Sequence, residues 1–536
     1  MEWWKKAVIY EIYPKSFFDS NGDGIGDLNG ITSKLDYLSE LGIDAIWLCP
    51  VCLSPQVDNG YDVSDYRQID PMFGTMDSMD LLISEAKKRN IRIIMDLVLN
   101  HSSDQHSWFR NAIQSRDSEF HDYYVFRDGS PESPPNRMRA GFGGSAWTYV
   151  PALKQYYFHQ FADQQPDLNW DNSELRKQLY EIINFWIGKG VGGFRFDVID
   201  QIAKEPDLEI TANGPMLHAY IREMNQNTFG GKNLITVGEA WGADIQSARE
   251  FSDPSGKEFS MVFQFEHILL DQQEGKEKWD LAPLRLSDLK RVISKWQTGL
   301  FNCGWNSLFW NNHDLPRIVS RWGNDQNYRE VSAKMLATLL YGLQGTPYIY
   351  QGEELAMTNI RLPIEEYKDV ETLNLYHERI AEGYSEYEVM QSIYARGRDN
   401  ARTPMQWSDS KNAGFSKGIP WLKVNPNYHT INAQQELADP DSVFHYYQKL
   451  IRLRKQYDVF TEGKFRLLLE SHPQIFAYER MSRNERLLVV CNFSDQPSDF
   501  PKELLGSSPE LLISNIPGSY TTHLSPYQSF IVLNHI

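Results

Sequence analysis

Three acidic side chains stand at the ends of short apolar runs. Asp197 closes Phe194-Arg195-Phe196-Asp197-Val198, Glu239 closes Val237-Gly238-Glu239-Ala240-Trp241, and Asp314 follows Asn311-Asn312-His313. A fourth run, Met95-Asp96-Leu97-Val98-Leu99-Asn100-His101, ends in polar residues of the same kind. Carboxylates brought together raise one another's pKa, so their convergence needs a chemical reason. Glycoside hydrolysis supplies one: one carboxylate attacks or stabilises the sugar carbon, and a second, kept protonated, gives its proton to the leaving oxygen. Taken singly, each acid has a bland alternative as a salt-bridge or loop-capping residue, and Arg195 is an obvious partner for Asp197. The constellation is harder to set aside, because the sequence has no nucleophile-elbow serine, no Walker loop and no histidine pair at zinc spacing.

These residues need a frame that carries strand ends to one place. Apolar runs recur at Ala7–Tyr13, Ile43–Cys49, Ile91–Leu99, Gly193–Ile199, Leu234–Trp241, Phe259–Phe265, Trp305–Asn311 and Pro347–Gln351. Most lack alternation, as strands buried on both faces of a parallel sheet do. Amphipathic stretches lie between them: Ile31–Leu41, Met79–Arg89, a helix after Ser173, Leu284–Trp296, Val331–Leu343 and finally Val443–Arg454. Eight strand–helix alternations predict an α/β fold, a (β/α)8 TIM barrel with its chemistry at the C-terminal strand ends. The expected division is a catalytic barrel over 1–101 and 172–458, an inserted subdomain over 102–171 after strand three, and a C-terminal antiparallel β domain, a sandwich, over 459–536. A further insertion spans roughly Ile360–Tyr428.

Composition narrows the function classes. The chain has 536 residues, 41% hydrophobic and 23% charged, with 53 basic and 71 acidic residues and a formal charge of −18. That balance argues against nucleic acid and anionic membranes as partners. No apolar run approaches the ~20 residues of a membrane span. The opening Met1-Glu2-Trp3-Trp4-Lys5-Lys6 lacks the order of a signal peptide, so a cytoplasmic protein, a monomer, is expected. The four cysteines are Cys49, Cys52, Cys303 and Cys491. Cys49-Pro50-Val51-Cys52 has redox or zinc spacing, but it closes an apolar run and lacks a second pair nearby.

The four strand-end segments, with Gln165-Pro166-Asp167-Leu168-Asn169 in the inserted region, resemble the conserved regions of the α-amylase superfamily, glycoside hydrolase family thirteen. The pentapeptide is similar to that of the oligo-1,6-glucosidase subfamily, with the nearest likeness to its dextran glucosidases. Asn59-Gly60-Tyr61-Asp62, Tyr350-Gln351-Gly352-Glu353-Glu354 and the stretch from Gly397 to Trp407 extend the resemblance over nearly the whole chain.

The resemblance implies Asp197 as nucleophile, Glu239 as general acid/base and Asp314 as the third acid, in a retaining mechanism. It implies that Arg195 orients Asp197, that His101 and His313 bond hydroxyls of the terminal glucose, and that Tyr61 stacks beneath it. Asp58 and Arg398 match the pair that closes the pocket behind that sugar, making the enzyme exo-acting. Val198, the residue after the nucleophile, resembles the α-1,6-cleaving members, whereas α-1,4 cleavers tend to carry Thr. A buried parallel strand would also favour Val there. Trp241, Lys278 and Glu371 match positions of the outer subsites.

Asp19-Ser20-Asn21-Gly22-Asp23-Gly24-Ile25-Gly26-Asp27 matches the start of an EF-hand calcium loop, but Gly30 stands where the bidentate Glu belongs. An acidic, Gly-rich turn alone is the alternative. The family resemblance implies a structural Ca2+ or Mg2+ held by Asp19, Asn21, Asp23, Asp27 and the Ile25 carbonyl. The expected activity is hydrolysis of terminal α-1,6-glucosidic bonds of small isomalto-oligosaccharides. Trehalose-6-phosphate hydrolase, α-1,4-glucosidase and sucrose isomerase are rival activities on the same scaffold, and a non-catalytic transporter-type scaffold is the rival of another class.

Overall fold

The computed structural model describes residues 2–517 and 520–536. Met1 of the expected barrel segment and positions 518–519 of the expected β domain lie outside the described residues.

Eight parallel strands organise the chain: β1 (Ile9–Ile12), β2 (Ala45–Leu48), β3 (Arg92–Leu97), β4 (Gly193–Phe196), β5 (Ile235–Glu239), β6 (Met261–Phe263), β7 (Ser307–Leu308) and β8 (Thr346–Tyr350). They are hydrogen-bonded in the order β6-β5-β4-β3-β2-β1-β8-β7. A parallel bridge between Val262 and Asn306 joins the two remaining edges and closes the ring. The (β/α)8 barrel read from the apolar runs is therefore present. Those runs lack alternation because both strand faces are buried. Ile9, Trp47, Ile94, Val237 and Tyr348 pack inside the barrel. Tyr10, Ile46, Ile93 and Phe196 pack outward against the helices.

The helices follow local rules. Ser173–Lys189 begins where the Asn172 side chain accepts from the N–H groups of Glu174 and Leu175, and ends at Gly190 with φ 92°. Leu175, Leu179, Ile182, Ile183 and Trp186 form its buried face, the 3.6-residue pattern of an amphipathic helix. One expected helix is broken. Ile31–Leu41 is instead two helices, Leu28–Ser33 and Leu35–Leu41, meeting at Lys34. Thr32 and Ser33 donate their hydroxyls back to the carbonyls of Leu28 and Gly30, a contact that competes with the helical ladder and bends it.

Two excursions rise over the C-terminal end of the barrel. The one between β3 and β4 contains a three-stranded antiparallel sheet of Phe126–Asp128, Gln155–Phe158 and Trp147–Val150. It is pinned to the barrel by an antiparallel bridge between His101 and Asp167 and by a buried ion pair, Lys204 to Asp167 at 2.8 Å. The excursion after β8 carries the helices Val370–Ala381 and Glu386–Arg396.

The C-terminal region forms a five-stranded antiparallel sheet from Lys464–Leu468, Ile475–Met481, Glu485–Asn492, Ser529–His535 and Glu510–Ser514. One face packs on the barrel helix Arg329–Tyr341, where the Tyr478 hydroxyl donates to the Leu339 carbonyl at 2.6 Å. The other face, with Ile475, Val490 and Phe530, is covered by Phe500, Leu505 and Leu524 around a two-stranded ribbon. Among the described residues no helix is long and apolar enough to cross a membrane.

Candidate active site

The ends of β3, β4 and β5 meet at one guanidinium. Arg195 Nη1 donates to Asp96 Oδ1 and Asp197 Oδ1, both at 2.8 Å, and Nη2 donates to Glu239 Oε2 at 2.5 Å. Asp96 also accepts from the Trp47 indole and the Tyr61 hydroxyl, each at 3.0 Å. Glu239 accepts from the Val198 backbone N–H at 3.1 Å and from the Trp241 indole at 3.0 Å. Burial pushes the Asp197 carboxyl well above the carboxylate range; Arg195 opposes this, while Glu239, Asp96 and Asp314 add to it. Burial raises Asp96 too, again against Arg195. One cation is thus shared among three buried carboxyl groups, and their mutual repulsion is only partly offset.

Asp314 sits in the opposite environment. Its Oδ1 accepts from Arg402 at 2.7 Å and Arg398 at 3.3 Å, and the His313 ring lies 3.2 Å from Oδ2. Burial would raise its pKa, but His313, Arg398 and Arg402 together hold it well below the usual range. Burial likewise disfavours a charged His313, yet Asp314 and Cys49 carry its pKa well above that of free histidine. The ring is fixed by stacking on Tyr61, centroids 5.2 Å apart and 7° from parallel, and by Nδ1 on Glu11 Oε1 at 2.7 Å.

A third cluster closes the far side. Arg398 reaches Asp58 at 3.1 Å, Asp369 at 2.6 Å and Glu371 at 3.3 Å, and Lys278 meets Glu371 at 2.6 Å. Burial raises Asp58 to about 6, against the pull of Arg398 and Arg402. Gln165 donates to Asp58 Oδ2 at 3.2 Å, tying the inserted excursion to this wall. His101 lies beside it, and burial lowers its pKa to about 4, so the ring is neutral at pH 7.

These groups surround a cavity of about 400 Å³. Of the residues named from sequence, Asp58, Tyr61, His101, Asp197, Val198, Glu239, Trp241, Lys278, Asp314, Glu371 and Arg398 line it. Arg195 and His313 do not; they lie directly beneath, 1% and 0% exposed. Trp241 is stacked on Phe265 at 3.8 Å and 9°, forming a flat apolar platform beside Glu239. Sequence reasoning missed Phe142, Phe161, Gln201 and Leu315 in the lining. It also missed Asp96, Glu11, Asp369 and Arg402 as the supports beneath. Asp96 and Arg402 lie inside segments already singled out, so the signal was present; Phe142 and Asp369 lie in excursions with no strand or motif to mark them.

Val198 is not in a strand. β4 ends at Phe196, and Val198 adopts φ 34° and ψ 46°. Left-handed backbone is unfavourable for a β-branched residue. A strand's preference for Val therefore does not explain it. Strain of this kind collects at functional sites.

The loop from Asp19 to Asp27 offers only oxygen donors, the type a hard divalent cation takes. Its side chains are nevertheless engaged with the loop itself. Asp19 accepts from the N–H groups of Asn21, Gly22 and Gly24 and from Ser416 Oγ, and Asp27 accepts from Ser20 and Gly30. Among the described residues, the group of His, Cys, Asp and Glu atoms close enough to share an ion is a different one: Glu11, Cys49 and His313. That group is satisfied as a hydrogen-bond cluster, with Glu11 Oε1 accepting from the His313 N–H groups and from Cys49 at 3.6 Å. Burial raises both Cys49 and Cys52 to about 12, and both are free thiols. Thiols held protonated in this way are unreactive.

The α-amylase catalytic-domain family matches residues 11–463, and the maltogenic-amylase C-terminal domain family matches residues 465–531. The chain belongs to the α-amylase family. Asp197, Glu239 and Asp314 all lie within the residues matched by the catalytic-domain family. The chain is 55% identical to a glucan 1,6-α-glucosidase of Streptococcus pneumoniae over 99% of both chains. It is 51% identical to an oligo-1,6-glucosidase of Halalkalibacterium halodurans, also over 99% of both. The crystal structure of trehalose-6-phosphate hydrolase from Bacillus licheniformis superposes with a TM-score of 0.94 at 44% identity, covering 99% of this chain and all of that one.

Proposed function

We propose that this α-amylase-family chain is a retaining exo-α-glucosidase that removes terminal glucose from the non-reducing ends of α-1,6-linked isomalto-oligosaccharides. The observation that carries the reading is the shared guanidinium: Asp197 and Glu239 are held side by side on the two Nη atoms of Arg195. Side-by-side carboxyl groups suit the ~5–5.5 Å spacing of retaining enzymes better than the ~6.5–9.5 Å that an inverting enzyme leaves for water.

In this reading Asp197 attacks the anomeric carbon while Glu239 protonates the leaving oxygen; Glu239 then takes a proton from water as the glycosyl ester is hydrolysed. Burial makes the carboxylate of Asp197 unfavourable in the ground state. Positive charge developing on the sugar relieves that penalty, so the ionised form is favoured in the transition state, where it accelerates reaction. Asp314, held ionised by His313, Arg398 and Arg402, accepts hydrogen bonds from sugar hydroxyls. The Asp58–Arg398 wall limits the cavity to a chain end.

Two observations bear on the rivals. Among the described residues the cations lining the cavity, Lys278 and Arg398, are both paired with carboxylates, an arrangement that disfavours a sugar phosphate there. The names of the two relatives match the α-1,6 reading of Val198. Asp197→Asn tests the assignment: it should abolish turnover without changing the melting temperature, and an active variant would refute it.

We also propose that the Asp19–Asp27 loop holds a structural Ca2+, with Mg2+ the competing ion, through Asp19, Asn21, Asp23, Asp27 and the Ile25 carbonyl. Asp19 and Asp27 must give up some of their present hydrogen bonds to do so. Such an ion would fasten the loop to the Ser416–Ile419 segment and supply no chemistry at the cavity. Cytoplasmic placement, with neither nucleic acid nor membrane as partner, is supported by the free cysteines and the −18 charge; the proposal that the chain is a monomer is tested by sedimentation, where a dimer would overturn it.

A further inference from the structure

The two excursions meet above the cavity. The tip of the first, around Gly141 to Gly144, rests on the helix Val370–Ala381 of the second. Asn374 Nδ2 donates to the Phe142 carbonyl at 2.9 Å, and Arg139 lies 3.3 Å from Glu378. Gly143, at φ 94°, comes so close to this helix that an added Cβ would stand 2.6 Å from Glu378 Oε1. Glu371, Asn374 and Glu378 are spaced i, i+3 and i+7, so one helix face carries all three. Glu371 lines the cavity with Lys278 and Phe142.

Phe142 links the two walls. Its ring lies 5.4 Å from Phe161 and 4.9 Å below the Arg398 guanidinium. The segment that carries it is a tight turn, with Ala140 donating to the Gly144 carbonyl and Gly141 to the Gln160 carbonyl at 2.7 Å, all within the first excursion; beside it Gly144, at φ 75°, has open space where a side chain would stand. The Arg139–Glu378 pair is solvent-exposed, and such pairs contribute little. The directed contact from the second excursion to Phe142 is the amide of Asn374.

We propose that Asn374 is a positioning residue that fixes Phe142 at the cavity mouth and thereby sets affinity for the terminal sugar. The inference rests on reading the cavity as the sugar site. Asn374 touches neither Asp197 nor Glu239, so its loss affects binding rather than bond cleavage. One hydrogen bond corresponds to about a two- to tenfold change in affinity.

Two variants separate positioning from general packing. Asn374→Ala removes the donor; Asn374→Asp keeps the shape but sets a carboxylate against the Phe142 carbonyl. Both are exposed helix-surface changes and should leave the melting temperature within about 2 °C. The expected result has three parts. Amide hydrogen exchange over residues 139–145 rises in both variants. KM for p-nitrophenyl α-glucoside and Kd for 1-deoxynojirimycin, a glucose mimic, rise about two- to tenfold, with Asn374→Asp at least as affected as Asn374→Ala. kcat stays within about twofold. Unchanged exchange, or raised exchange with unchanged KM and Kd, would overturn the proposal. Failure of the sugar-site reading would look different, since the wild-type protein itself would then neither cleave the glucoside nor bind the mimic.

Discussion

Val198 donates its backbone N–H to Glu239 Oε2 at 3.1 Å, from a left-handed φ of 34°. The residue after the proposed nucleophile Asp197 thus helps hold the proposed acid Glu239. Val and Thr are similar in shape and both β-branched, so exchanging them leaves the backbone strain alike and changes only a methyl for a hydroxyl. Val198→Thr is predicted to raise α-1,4 relative to α-1,6 turnover by about tenfold, the scale on which one added hydroxyl discriminates. Rates on maltose and isomaltose check this, and an unchanged ratio would remove Val198 from the linkage argument.

Glu239 is the proposed proton donor. Glu239→Gln keeps an acceptor for the Val198 N–H but cannot ionise or protonate a leaving group. It should lower kcat on isomaltose by about 10²–10⁴-fold, the usual contribution of a general acid. A variant within tenfold of wild type would mean that the proton comes from elsewhere.

Asp58 gives a pH signature. Burial places its pKa at about 6, and the ionised form is the one that pairs with Arg398 at 3.1 Å. Raising pH through 6 therefore forms the wall and lowering it dissolves it. KM should be flat above pH 6 and rise below it, while Asp58→Asn should show a raised KM that no longer varies between pH 5 and 7. A wild-type KM independent of pH over that range would place the wall's formation elsewhere.

Glu11 Oε1 supports His313 by accepting from that residue's backbone and ring N–H groups, at 3.2 and 2.7 Å. Glu11→Gln leaves the buried ring with a poorer acceptor. A loss of about 1–3 kcal/mol in urea unfolding is expected, with kcat/KM falling as His313 loosens behind Asp314. Undiminished stability would show that Asp314 and the stacking on Tyr61 hold the ring without Glu11.

The Asp19–Asp27 loop is tested by metal removal. Chelation followed by buffer exchange should lower the melting temperature by several degrees, with kcat unchanged at temperatures where the protein stays folded. Superimposable melting curves would mean that hydrogen bonds such as Gly24 to Asp19 within the loop and Ser416 to Asp19 from outside it suffice to hold it.

How much of this was legible beforehand depended on the kind of order involved. The barrel could be read because strands buried on both faces appear as unbroken apolar runs, and strand ends such as Asp197 and Glu239 are then placed by topology alone. The break at Lys34 was hidden, since Thr32 and Ser33 carry the right period and only their hydroxyl contacts bend the helix. The support beneath the site was partly visible: Asp96 and Arg402 sit in recognisable segments, but that Arg195 is shared three ways depends on side-chain geometry. Phe142 and Asn374 lie in separate excursions, 232 residues apart, and no periodicity relates residues that meet only through packed loops. The left-handed backbone of Val198 gave no sign either, because Val is the residue least expected there.

The central claim is that the cavity cleaves terminal α-1,6-linked glucose. The most direct test is initial rates of the purified protein on isomaltose, isomaltotriose, maltose, sucrose and trehalose 6-phosphate, with products identified. The account predicts dominant release of α-glucose from isomaltose and isomaltotriose, with little cleavage of maltose or trehalose 6-phosphate. Dominant hydrolysis of trehalose 6-phosphate, or conversion of sucrose to isomaltulose, would contradict it while leaving Asp197 and Glu239 in place.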